Sequence, residues 1–231
     1  MSSPYVVKQE CIAIAGVADL HIRSLLDRQQ FDDPLGEALA RGISSAAWPL
    51  FGLLWPSGLQ LAAAMARRPL LADESILEIG CGLALASLVS HRRGALVTAS
   101  DCHPMAAGFL LENLRLNALA PMRYCHGDWG PATTGRGQSA PRVQGRFDLI
   151  IGSDVLYERD EAGSLAAFIA LHARPASEVI IVDPNRGNRP AFSRHMATLG
   201  YRLQETVIKQ PGYSGRLLQY RRDSLATPGP A

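Results

Sequence analysis

Four residues in one short stretch and its sequel carry the first chemical signal: Glu78, Gly80 and Gly82 close the apolar run Ser75-Ile-Leu-Glu-Ile79, and Asp101 ends the next apolar run. Glycine lets backbone approach a ligand where a Cβ would block it. A helix opening directly after such a turn offers unpaired N–H groups and a positive dipole end to a carboxylate or phosphate. A carboxylate at the end of the following strand accepts the two hydroxyls of a ribose. Strand, glycine turn, helix, strand and acid therefore describe a nucleoside site. Two further groups belong with it. Trp129 beside Asp128 supplies an aromatic face for a purine and an acceptor for its amino group. Asp154 follows the buried run Phe147-Asp-Leu-Ile-Ile-Gly152, a position from which a carboxylate can orient an ammonium, and Tyr157 can close the pocket over it.

The type of nucleoside is narrowed by what is missing. A dinucleotide fingerprint wants a third glycine where this chain has Leu85. A nucleotide-hydrolase phosphate loop ends in Gly-Lys-Ser/Thr, and the only lysines are Lys8 and Lys209. The first absence counts against NAD or FAD, and the second excludes ATP held by such a loop.

The Glu-x-Gly-x-Gly of residues 78–82 resembles motif I of the class I methyltransferases, whose donor is S-adenosylmethionine. Four more segments sharpen the likeness: Phe51-Gly-Leu-Leu-Trp-Pro-Ser-Gly58, Asp101-Cys-His-Pro104 with Asn113 and Asn117 behind it, Gly127-Asp-Trp129, and Phe147 to Tyr157. In this order and spacing they are similar to the family 16 methyltransferases, the group with an Asp-x-x-Tyr motif that includes many protein-lysine methyltransferases. The resemblance covers roughly residues 42–186. It implies that Trp55 lies beside the cofactor and that Gly80 and Gly82 hold its methionine part, with Glu78 nearby. It further implies that Asp101 takes the ribose, that Asp128 and Trp129 take the adenine, and that Asp154 and Tyr157 form the catalytic face. Many members have glycine where this chain has Ala84.

The elements that must position these groups read as an α/β domain. From Ser75 onward, short runs rich in Val and Ile alternate with segments of helical period, the pattern of a doubly wound, mostly parallel sheet. Strands are expected near Ser75 to Ile79, Leu96 to Ser100, Met122 to His126, Phe147 to Gly152 and Val179 to Asp183. Tyr201 to Ile208 and Leu217 to Arg221 close the sheet as an antiparallel hairpin, which makes seven strands, the number the resemblance implies for a Rossmann-like methyltransferase. Helices are expected at Leu59 to Arg67, Leu83 to Arg92, Pro104 to Asn117, Glu161 to Ala173 and from Arg189 to Leu199. Pro104 suits a first helical turn, which needs no N–H there. Residues 1–50 read as an N-terminal extension entered by a strand over Cys11 to Ala18, residues 51–224 as the methyltransferase domain, and residues 225–231 as a flexible tail. Gly130 to Gly145, with no apolar period, reads as a mobile surface loop.

Bulk properties set the remaining limits. A chain of 231 residues with 47% apolar content is long enough for one sizeable core and short for two domains. A net charge of +2 does not point to nucleic acid, and no apolar run is taken to span a bilayer. Four cysteines without paired spacing fit a reducing cytoplasm. The six histidines are scattered without ligand spacing, so no metal is expected. The acceptor expected from the resemblance is a protein nitrogen, lysine first and histidine second. A small amine acceptor and a non-catalytic binding module stay open as alternatives. Gly152-Ser-Asp-Val155 stands where enzymes that methylate nucleic-acid amino groups carry Asn/Asp-Pro-Pro-Tyr/Phe, which argues against a base acceptor. Arg186, in Asp183-Pro-Asn-Arg-Gly187, is placed to meet a substrate carboxylate or backbone, though a plain turn explains it as well. Asp160 is the better helix cap than Asp154.

Overall fold

The computed structural model describes residues 5–129 and 141–223. In chain order the elements are β1 (Val7–Ile12), β2 (Leu20–Leu25), α1 (Glu37–Ala40), a 3-10 turn (Trp48–Gly52), α2 (Pro56–Arg67), β3 (Ser75–Ile79), α3 (Leu85–Arg92), β4 (Leu96–Asp101), α4 (Ala106–Leu116) and β5 (Arg123–His126). There follow β6 (Phe147–Ser153), α5 (Ser164–His172), β7 (Ala173–Asp183), α6 (Arg189–Thr198), β8 (Arg202–Gln210) and β9 (Tyr213–Arg222).

Seven strands form one sheet in the order β5-β4-β3-β6-β7-β9-β8. β5, β4, β3, β6 and β7 run parallel, and β9 and β8 close the edge antiparallel. Central strands of such a sheet are covered on both faces, so their residues are apolar whichever way they point. Ile76, Leu149, Ile151, Ile180 and Val182 pack with Leu61 and Met65 of α2. Leu77, Ile79, Ile150, Val179 and Ile181 pack on the other face with Leu165 and Ile169 of α5 and Phe192 and Met196 of α6. Chain order reverses between β3 and β6, and that crevice at the strands' carboxyl ends is where open α/β sheets bind ligands.

All seven expected strands are present, and several boundaries shift for local reasons. β7 begins at Ala173, six residues before the expected Val179. The helix expected from Pro104 begins at Ala106, so Pro104 precedes it rather than filling its first turn. The helix expected from Glu161 begins at Ser164, because the Asp160 carboxylate caps the N–H groups of Ser164 and Leu165 at 2.8 and 2.9 Å. Trp48–Arg67 is apolar enough over its 20 residues to cross a bilayer by length and composition. It is not one helix, since Leu53 and Trp55 are extended between the 3-10 turn and α2. The expected surface loop lies mostly outside the described residues, as does the tail. Its end is anchored: Val143 is buried and its N–H donates to the His126 carbonyl at 3.0 Å.

The first 50 residues hold more structure than expected. The strand looked for over Cys11 to Ala18 is instead Val7–Ile12, and it pairs with β2 as a separate antiparallel ribbon. Leu20, Ile22 and Leu25 of β2 enter the same core cluster as Trp48, Leu88, Val89 and Phe109. An isolated two-stranded ribbon is marginal in water, so its second edge has to be satisfied elsewhere. Two asparagines, Asn113 on α4 and Asn117 at its C-cap, do this. Asn117 Oδ1 accepts the His21 N–H at 3.0 Å while its Nδ2 donates to the His21 carbonyl at 2.7 Å, and Asn113 Oδ1 accepts the Arg23 N–H at 2.7 Å. At this spacing on a helix the two amides face the same way and stand in for a third strand. Replacing Asn113 by alanine strands the Arg23 amide, and the expected cost is about 1–3 kcal/mol in denaturant unfolding with faster amide exchange at Arg23. An unchanged midpoint would show that water takes over from the side chain.

Candidate functional site

The crevice is built by the loops that leave β3, β4, β5, β6 and β7. After β3 the backbone turns through left-handed conformations at Gly80 (φ 55), Gly82 (φ 51) and Ala84 (φ 59). At Gly80 a Cβ would lie 2.9 Å from Val155 Cγ1 and 3.3 Å from Trp129 Cη2; at Gly82 it would lie 2.9 Å from the Phe51 carbonyl oxygen. Gly80 therefore touches the loops after β5 and β6 at once, and Gly82 is pressed against the 3-10 turn. Ala84 accepts the left-handed strain with a methyl group, which is fully buried.

Asp101 is tied into this turn. Its Oδ2 accepts the Gly82 N–H at 2.8 Å and its Oδ1 the His103 N–H at 2.8 Å, and Cys102 also donates to the carboxylate. Burial pushes its carboxyl above the usual range, against the pull of those N–H groups. Glu78 is only 3% exposed, and among the described residues both hydrogen bonds its carboxylate accepts come from Ser87, one from the N–H at 2.8 Å and a very short one from the hydroxyl. Through Oε2 the carboxylate fastens α3 to β3 beneath the turn. Desolvation lifts its pKa to about 7 even though Ser87 pulls it down.

His103 forms part of the wall. Its ring stacks on Phe51 with centroids 3.8 Å apart and meets the edge of Trp48 at 5.6 Å. Desolvation, with help from Arg41, lowers its pKa to about 3. Trp48 is core. Trp55 caps the start of α2, its Nε1 donating to the Leu50 carbonyl at 2.8 Å and the Arg28 guanidinium sitting 5.7 Å from its ring centre. Trp129 is partly buried against Phe168.

The two members of the Asp-x-x-Tyr pair part company. Tyr157 is 48% exposed, and its phenol pKa is raised by desolvation and then by Cys102, Glu158, Asp101 and Asp128. It leans over the side of the crevice that holds Asp101 and Asp128. Asp154 belongs to the other side. It adopts φ 58, its N–H donates to the Val182 carbonyl at 2.9 Å, and its Oδ1 accepts from Arg186 Nε at 2.5 Å. It does not cap α5. Arg186, expected to reach outward or merely to turn the chain, thus meets Asp154, and its own N–H is fixed by Asp183 Oδ1 at 2.8 Å.

Tyr213 and Ser57 on this side escaped the sequence reading; their hydroxyls meet at 3.2 Å, and Tyr213 feels the charges of Asp183 and Asp154. Their only signal was that Ser57 sits two residues after Trp55. The arrangement thus has a glycine-lined turn with an acid and an aromatic ring on one side, and an oriented carboxylate on the other.

A family model described as lysine methyltransferase matches residues 50–198. The electron transfer flavoprotein beta subunit lysine methyltransferase of Mus musculus is 29% identical over 167 residues, covering 71% of this chain and 60% of that protein. The protein-lysine methyltransferase METTL21E of Bos taurus is 32% identical over 112 residues, covering 46% of this chain and 37% of that protein. The chain thus spans less than two thirds of the length of these curated relatives. Among solved structures, the magnesium protoporphyrin IX methyltransferase from Synechocystis PCC 6803 with bound SAM superposes with a TM-score of 0.57 at 18% identity, over 72% of this chain and 78% of that one.

The buried Glu78 makes a pH prediction. Its folded pKa of about 7 lies above its ordinary 4.5, so the folded state binds the proton more tightly than the unfolded state does. That contribution is fully present below about pH 4.5 and is lost as pH rises through about 7. Measured by denaturant unfolding, the stability of the wild type relative to Glu78→Gln is expected to fall across this window and level off above it. A constant difference would mean that Glu78 is charged throughout.

Proposed function

Because the chain belongs to the lysine methyltransferase family, we propose that it transfers a methyl group from S-adenosylmethionine to a nitrogen of a protein side chain, lysine before histidine. The observation that carries the proposal is the meeting, at the β3/β6 crevice, of the Gly80–Gly82 turn with Asp101 on one side and Asp154 on the other.

The residues present suit that donor. Any side chain at Gly80 or Gly82 would fill the turn. Asp101, at the end of β4 beside the glycine turn, is placed to accept ribose hydroxyls, and Trp129 with Asp128 offers a purine an aromatic face and an acceptor. Trp55, held by Leu50, walls the approach from α2, while Glu78 supports the turn through α3. When bound, the donor supplies an electrophilic methyl on a sulfonium.

The chain's own work lies on the acceptor side. Lysine has a reference pKa of about 10.4, and only the neutral amine has a lone pair to attack with. Asp154, fixed by Val182 and Arg186, orients the arriving nitrogen. Tyr157 covers the crevice from the Asp101 side and keeps water from the path of transfer. Positioning of this kind supplies much of the rate in a displacement that needs in-line geometry. The exposed Tyr157 and Glu158 at the rim favour a basic protein segment over a small amine, while Glu161 is paired with the exposed Arg159 at 3.6 Å. The four cysteines are free thiols, which supports a cytoplasmic setting.

Purified protein incubated with methyl-labelled donor and a dialysed lysate is expected to label a protein band at a lysine. Asp154→Ala should reduce transfer at least about 100-fold while calorimetric affinity for S-adenosylmethionine stays close to wild type. Equal loss of both would move Asp154 into the donor site. Label confined to small molecules would replace the protein acceptor by an amine.

A further inference from the structure

The loops that leave β6 and β7 are sewn together at the mouth of the crevice. Arg186 binds Asp154 Oδ1, and two residues on, Asn188 Nδ2 donates to the Leu156 carbonyl at 2.9 Å. The Asp154 side chain is 11% exposed and the Arg186 side chain 35%. Only Nε of the guanidinium engages the carboxylate, and Asp154 Oδ2 accepts no hydrogen bond among the described residues.

The charges facing this pair are few. Asp183, buried at the end of β7, holds the Arg186 backbone, and its Oδ2 has no partner among the described residues. Arg189 at the start of α6 pairs with Glu205 of β8 at 2.8 Å, and Arg216 of β9 pairs with the same carboxylate at 3.0 Å. β9 also presents the Tyr213 phenol, α2 presents the uncharged Ser57, and Tyr157 and Glu158 follow in the β6 loop. Arg186 is the one of these cations that forms an ion pair with Asp154.

A bare carboxylate is a poor neighbour for a methyl acceptor. An opposite charge within about 4–6 Å stabilises the ammonium form by roughly 1–3 pK units, and an ammonium has no lone pair. A guanidinium on the same carboxylate offsets that pull and stays charged at every working pH. We propose that Arg186 is a positioning and charge-balancing residue: by holding Oδ1 it turns Oδ2 of Asp154 toward the acceptor nitrogen, and by its charge it eases that nitrogen's loss of a proton. The inference rests on the assignment of Asp154 to the acceptor side.

The test measures labelled methyl transfer into the protein of a dialysed lysate from about pH 6 to about pH 10, a span that approaches the lysine pKa. Two neutral variants, Arg186→Gln and Arg186→Met, should move the rising limb of the rate profile up by about one pH unit and approach wild type at the alkaline end. Arg186→Lys, which keeps the charge, should leave the limb in place. A limb unmoved in both neutral variants, with Asp154→Asn inactive, overturns the role of Arg186 and leaves Asp154 where it is. Wild-type rates in Asp154→Asn remove the assignment of Asp154 itself. A thermal-melt cycle of Asp154→Asn, Arg186→Gln and the double variant needs neither donor nor acceptor. Non-additive shifts are expected, and strict additivity would show that the pair does not form in solution and overturn the proposal.

Discussion

Parallel strands can be joined only by crossovers, and in one sheet those crossovers turn right-handed. Once β3 is the first strand, β4 and β5 are laid down on one flank of it and β6 and β7 on the other. The helices after β3 and β6 then leave toward opposite faces, and the carboxyl ends of these neighbours cannot both be covered. The crevice follows from this constraint. Every residue given a chemical role sits on a loop that opens into it or on the wall beside it.

Chemistry is divided across that crevice by which loop a residue rides on. The β3 and β4 loops hold an inward-facing turn whose hydrogen bonds are made within the protein: Asp101 to Gly82 and His103, and Glu78 to Ser87. The β6 and β7 loops hold charge whose pairing among the described residues is incomplete, with Asp154 bound through one oxygen and Asp183 buried with one oxygen unmatched. The first half is braced by these bonds, although His103 Nε2 is buried without a partner among the described residues. A partly satisfied half has capacity to take up an arriving polar group, and the cost of leaving buried polar atoms unmatched makes that capacity meaningful.

What could be read from the chain alone was local. The order strand, glycine turn, helix, strand and acid lies within residues 75–101 and needs no distant partner to be recognised. Asp160 was legible as a cap because a cap acts within one turn. The asparagine clamp joins residues about 90 apart, and nothing in the spacing of Asn113 and Asn117 names β2 as its target. Arg186 was visible as a rim residue, yet its direction depends on how β6 and β7 lie side by side. For Glu78 the motif was legible, but the burial and the Ser87 bonds that fix one of its carboxylate oxygens were not.

His103 is flattened against Phe51 with its pKa depressed to about 3. An imidazole so far from titrating behaves across the physiological range as one more unchanging aromatic plate in the lining. That plate keeps a single charge state while Glu78, on the strand beside it, takes up or gives off its proton near neutrality.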